Sequence, residues 1–216
     1  MRLHSYARRG MTTLSEAGSR DAGAPAVRLS ARERILDTAY GLICRHGVRA
    51  VGIDTIIERS DVAKMTVYRQ FGSKDELVLA VMERREQLWL REWLQAEVLA
   101  SAPDGASRLL AIFDVFDCWF RQPDFEGCLF INVVLEIDDR EHPINRAGRE
   151  HLARIRTFLA ALALDAGIED DDAFARQWHV LMKGSIVAAG EGDVDAARRA
   201  QAIGRLLLAD AVPSRR

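Results

Sequence analysis

Two copies of one helix-start signal, Ser30-Ala31-Arg32-Glu33 and Ser73-Lys74-Asp75-Glu76, constrain the fold of this chain more than any bulk property. In such a box a serine hydroxyl caps the first-turn amides, and a glutamate three residues on reaches back to the serine's own amide. Everything between the two boxes must therefore end one helix and be complete before the next opens. Ile35, Ala39, Leu42 and Ile43 repeat at helical spacing until His46-Gly47 stops the run. A short helix follows with Ile53, Ile56 and Ile57 on one face. After a break at Ser60-Asp61 comes a second short helix that turns Val62, Val67 and Phe71 inward. Gly72 interrupts, and the second box opens a long helix predicted to reach about Leu99.

The remainder also reads as helices, over 104–121, 127–138, 143–166, 170–190 and 193–210. No stretch shows sustained strand alternation, so the fold is predicted to be all-α. The segment 127–138 is apolar almost all round (Leu129, Phe130, Ile131, Val133, Val134, Leu135, Ile137), which predicts a central, buried helix. With 216 residues, 49% of them hydrophobic, the chain is long enough to bury roughly 70% of its surface without disulfide or metal staples. That composition excludes a disordered, collagenous or disulfide-built protein. No apolar run approaches the roughly 18 to 20 residues that span a bilayer, so no membrane segment is expected. Three scattered cysteines, Cys44, Cys118 and Cys128, suit a reducing cytoplasm. Residues 1–27 lack the apolar centre of a secretory signal and read as a flexible arm, or as a start placed upstream of Met11.

Charge is unevenly spread. Residues 28–74 hold nine Lys and Arg against five Asp and Glu, whereas the whole chain has a net charge of −2. A basic head on an acidic body implies that the head alone meets a polyanion. Two short helices behind a longer one are the pattern of a helix-turn-helix, in which the first helix of the pair braces the second and leaves its outer face for a DNA major groove. On the second helix Lys64, Met65, Thr66, Tyr68, Arg69 and Gln70 fall outward. Lys64 and Arg69 suit phosphates or guanine, Thr66 a phosphate or a thymine methyl, and Met65 an apolar contact. Lys74, with the amides opening its helix, makes a phosphate seat. Thr55, on the bracing helix, completes the DNA-facing candidates.

The run Val62-Ala63-Lys64-Met65-Thr66-Val67-Tyr68-Arg69-Gln70-Phe71-Gly72-Ser73-Lys74-Asp75-Glu76-Leu77 resembles the signature of the TetR/AcrR family of transcriptional regulators. The resemblance covers about residues 30–80 and is strongest in Thr66, Tyr68, Phe71, Ser73, Lys74 and Leu77. Three positions depart from the family pattern: Asp61 where Gly is usual in the turn, Ala63 where Ser usually caps the recognition helix, and Gly52 where Ser or Thr is common. They weaken local capping without touching the groove-facing set.

The resemblance implies an N-terminal three-helix DNA-binding domain over 28–74 and a helical ligand-binding and dimerisation domain over 75–216. For pairing, helix 143–166 offers the stripe Gly148, Leu152, Ile155, Leu159, Leu162. Helix 170–190 offers Phe174, Trp178, Leu181 and Met182, with small Gly184, Ser185, Ala188 and Ala189. Two such helices from each subunit would make a four-helix bundle, although both helices also suit a core of their own. Ligand-binding candidates are the polar and aromatic groups inside apolar helices: Cys118, Trp119, Cys128, Phe130, Asn132, Trp178, His179, Met182 and Lys183. Each is also accounted for by ordinary packing, since buried polar groups commonly bond their own backbone. The five histidines show no metal-ligand spacing, and no catalytic constellation or cofactor fingerprint is present. The expectation is a homodimeric repressor, not an enzyme, that binds a palindromic operator and is released by a small apolar or aromatic effector. The competing readings are an activator or ligand-blind regulator of the same fold, an all-α enzyme with an incidental helix-turn-helix, and a non-specific architectural DNA protein.

Overall fold

The computed structural model describes residues 29–211, and the predicted arm 1–27 lies outside them. Among the described residues every regular element is helical. The chain divides into two compact units at Glu83/Arg84.

In the first unit α1 (Ala31–His46), α2 (Ile53–Ser60) and α3 (Lys64–Phe71) pack pairwise on one another, and α4 (Lys74–Arg85) follows. The first capping box is complete: the Ser30 hydroxyl accepts the Glu33 amide at 3.2 Å, and the Glu33 carboxylate accepts the Ser30 amide at 2.8 Å. The second is only half made. Ser73 Oγ accepts the Glu76 amide at 3.1 Å, but the Ser73 amide donates to the Phe71 carbonyl at 2.7 Å. The tight turn at Gly72, with φ of +70°, redirects that amide into the chain's own reversal. Ile35, Ala39, Ile43, Ile56, Val67, Phe71, Leu77 and Val81 are buried, as the spacing of apolar positions requires.

Beyond Arg85 the long helix predicted from Ser73 continues, but as a π-helical stretch, Glu86–Gln95, before α5 (Ala96–Ser101). Nothing in the apolar spacing distinguishes the two forms, and π-helix is rare enough that an α-helix is the default expectation.

In the second unit α6 (Gly105–Phe120), α8 (Pro143–Asp165), α9 (Asp171–Gly190) and α10 (Ala196–Ala211) make a bundle in which α6 touches α8 and α10, and α9 touches α8 and α10. Its centre is Trp178, fully buried between Phe113 (ring centroids 5.5 Å) and Phe174 (5.4 Å). Gly105 lets α6 meet α8: a Cβ there would lie 2.2 Å from the Leu162 carbonyl oxygen.

The segment predicted as a central buried helix is not central. It forms only α7 (Leu129–Glu136), which packs on α8 and leaves Leu135 76% exposed. A helix this short, packed mainly on α8, buries one stripe (Leu129, Phe130, Val133), however apolar its other faces are. Its last turn is tied down by Asn145, whose amide donates to the Val134 and Ile137 carbonyls.

The stripe proposed for pairing is likewise internal. Gly148, Leu152, Ile155, Leu159 and Leu162 are all buried within one chain, as are Phe174, Trp178 and Met182. The large apolar side chains left exposed on the last two helices and their connection are Val180, Val187, Val194, Ile203 and Leu206.

Candidate DNA-binding surface

The α2–α3 pair is positioned by its buried face. Val67 and Phe71 anchor α3, each by roughly 1.5–3 kcal/mol of apolar burial, and Ile56 anchors α2. Asp61 makes the turn between them in the left-handed conformation (φ 51°, ψ 51°), a geometry tolerated by Asp, though less readily than by Gly. α1 holds this turn from behind: Arg34 Nη1 donates to the Asp61 carbonyl at 3.2 Å. The Arg32 guanidinium lies 4.5 Å above the Phe71 ring, a cation–π contact at the end of α3. Neither Gly52 nor Ala63 supplies a side-chain cap, so α2 and α3 rely on packing for their starts.

This leaves outward most of the set read from the sequence, with Gln70 half-buried near the end of α3. Lys64, Met65, Tyr68 and Arg69 are exposed, with Met65 76% exposed. Thr55 and Thr66 are half-buried beside them. Lys64 Nζ reaches Asp54 at 3.3 Å, but both side chains are well exposed, so the pair is weak and the ammonium is free to move to a phosphate. Lys74 is placed differently from its expected role. Its ammonium is half-buried and donates to the Val48 carbonyl at 2.8 Å, tying the start of α4 to the α1–α2 connection. Arg32 and Arg34 belong to the support of this surface and are legible only once α1 is known to pack on the turn.

The ligand-binding candidates in the body are spread over several elements, from α6 and α7 to α9. Cys118 is exposed, so it cannot line an enclosed pocket. Trp119 is one ring of an aromatic cluster, 5.4 Å from Trp89, 5.6 Å from Trp93 and 4.9 Å from Phe125. Asn132 is half-buried on the outlying α7. Phe130 is buried and stacks on His151 with ring centroids 4.7 Å apart. Burial pushes the Cys128 thiol up, so it carries no reactive thiolate.

His179, Trp178 and Met182 are interior. Burial, helped by Lys183 and Arg156, lowers the His179 pKa to about 3. Its Nδ1 has no hydrogen-bond partner, nor has the Trp178 or Trp89 indole nitrogen. Burial and the neighbouring Arg156 also lower the Lys183 pKa.

Sequence reasoning missed a buried acid in the body that three side chains engage. Glu86, 5% exposed, accepts from Arg91 at 3.0 Å, from Arg154 at 2.6 Å, and from His151 Nδ1. Burial alone would raise the Glu86 pKa, but the hydrogen bonds from Arg91 and Arg154 outweigh it and hold the carboxyl below its ordinary value. The available signal was a glutamate on the same helical face as Leu90 and Trp93. Among the described residues no group of His, Cys, Asp and Glu could hold a metal ion. No described helix is long and apolar enough to cross a membrane.

A basic, apolar-backed short helix carried outward behind a brace defines a helix-turn-helix DNA-binding regulator. Residues 35–81 match the family model for bacterial regulatory proteins of the tetR family, and residues 105–203 match that of the tetracyclin repressor-like C-terminal domain. The chain belongs to the TetR family of transcriptional regulators. It is 23% identical over 172 residues to the transcriptional regulator YjdC of Escherichia coli, covering 78% of this chain and 90% of YjdC. Over 74 residues it is 35% identical to the transcriptional repressor KstR of Mycolicibacterium smegmatis, covering 34% and 36% of the two chains. The crystal structure of SCO4454, a TetR-family regulator from Streptomyces coelicolor, superposes with a TM-score of 0.76 at 29% identity, covering 85% of this chain and 90% of that one.

Proposed function

We propose that this regulator is a homodimeric, ligand-responsive repressor that reads a palindromic operator with α3. The observation that carries the reading is the outward set Lys64, Met65, Tyr68 and Arg69 on a helix whose other face is locked by Val67 and Phe71. A module this small gains affinity and specificity by pairing, with half-sites about one helical turn, about 34 Å, apart. The exposed apolar side chains of α9 and α10 supply a surface for pairing, in place of the stripe expected on α8.

The aromatic interior, with its unpartnered Trp178 and His179 nitrogens, suits an apolar or aromatic effector that brings one hydrogen-bonding group. An effector releases DNA only through unequal affinity for the DNA-bound and DNA-free forms. Operator affinity measured against salt for Lys64→Ala and Arg69→Ala tests the assignment. Removing a side chain that touches a phosphate lowers the salt slope by about one ion, and removing one that touches a base relaxes discrimination at one position. If neither substitution alters specific binding, α3 is not the reading helix.

A further inference from the structure

Beside the π-helical stretch the body carries an open cleft of about 370 Å³, within the range small-molecule sites occupy. One part of its lining is charged, with Glu86, Arg91 and Arg154, and another is apolar, with Leu90, Phe158 and Ala161. The charged part does not balance. Glu86 is a single carboxylate whose oxygens are already taken by both arginines and by His151. Burial lowers the His151 pKa, outweighing the opposing pull of Glu86. Within the lining itself, two guanidiniums against one carboxylate leave one positive charge in excess, with Glu150 acting on His151 from outside it. Each guanidinium has five N–H donors in a planar fork. The bonds to Glu86 engage one terminal nitrogen on each, Nη2 of Arg91 and Nη1 of Arg154, and the two side chains remain 59% and 49% exposed.

We propose that this cleft binds a small organic monocarboxylate, its carboxylate on the free edges of Arg91 and Arg154 and its apolar body against Leu90, Phe158 and Ala161. A monoanion matches the single excess charge, and a flat carboxylate matches the fork of a guanidinium. The apolar lining asks for a hydrocarbon body in preference to a further polar group. Glu86 sets the site by holding both arginines at its floor and by repelling a second anion. None of the interior candidates for the effector lines this cleft, and binding here does not require the operator reading to hold.

Calorimetric titration of the full-length protein with 3-phenylpropionate, and with 3-phenylpropanamide as its uncharged counterpart, tests the site. The expected result is saturable binding of the acid, with the amide and Arg154→Gln each weaker by about 10-fold or more, as loss of a charge-assisted hydrogen bond implies. Should Arg154→Gln unfold, Ala161→Trp decides. It fills the apolar part from an exposed position, leaves the Glu86 ion pairs in place, and is expected to abolish binding. Absence of saturable binding, equal binding of acid and amide, or unchanged binding in the variant titrated overturns the proposal. Operator binding by the same preparation reports separately on the repressor reading.

Discussion

His179 is the side chain whose environment makes the sharpest demand. It is 3% exposed, neutral, and held away from protonation by burial and by the cations Lys183 and Arg156. With a folded pKa of about 3 against an ordinary 6.5, the unfolded chain takes up a proton between these values that the folded chain refuses. Stability from this group is therefore complete above about pH 6.5 and declines as the pH falls. The Glu86 carboxyl, and that of Asp117, which the hydrogen bonds and charges of Arg121 and Arg198 hold low against burial, lose their contribution only in more acid solution. Denaturant unfolding at pH 7.5 and 5.5 should show a loss to which His179 contributes about 1.4 kcal/mol. His179→Phe should remove that share of the loss, and an unchanged pH dependence would show that the imidazole is not sealed as described.

At the scale of elements, close approach and local pattern govern what holds. Gly105 opens α6 where a Cβ would meet the backbone of α8, at the Leu162 oxygen and the Ala166 nitrogen, rather than a side chain able to swing aside. Gly105→Ala should lower stability by about 1–3 kcal/mol by forcing the two helices apart, measured as a shift in the unfolding midpoint at constant m-value. The α3 surface was legible in the sequence because its information is local: an apolar i, i+4 pair, Val67 and Phe71, fixes which face is left outward. The complete box at Ser30 was legible for the same reason. The Glu86 site was not, because its partners His151 and Arg154 lie 65 and 68 residues away. Nor was the π-helical register, which shows only in side-chain pairs five apart, Glu86 with Arg91 and Gln87 with Glu92. In an α-helix such pairs would point about 140° apart. The apolar run around α7 misled because hydrophobicity says how much a helix can bury and not how many neighbours it has.

For the whole molecule, the working unit is proposed to be two chains. Val180, Val187, Ile203 and Leu206 give α9 and α10 an apolar exterior that a lone chain leaves in water. Val187→Glu with Leu206→Glu should shift sedimentation from dimer to monomer. Losing the second head should weaken operator affinity by about 100-fold or more, with no change in α3. A dimer that persists in the double variant would place the pairing surface elsewhere.

Selection of binding sites from random duplexes by the full-length protein at moderate salt tests most directly that α3 is one half of a two-fold reader. The account predicts recovery of a palindrome whose half-sites are centred about 10 base pairs, or a multiple of that, apart, and whose enrichment is lost in Arg69→Ala. Recovery of a single asymmetric half-site, or of no sequence at all from protein refolded free of bound small molecules, would contradict it.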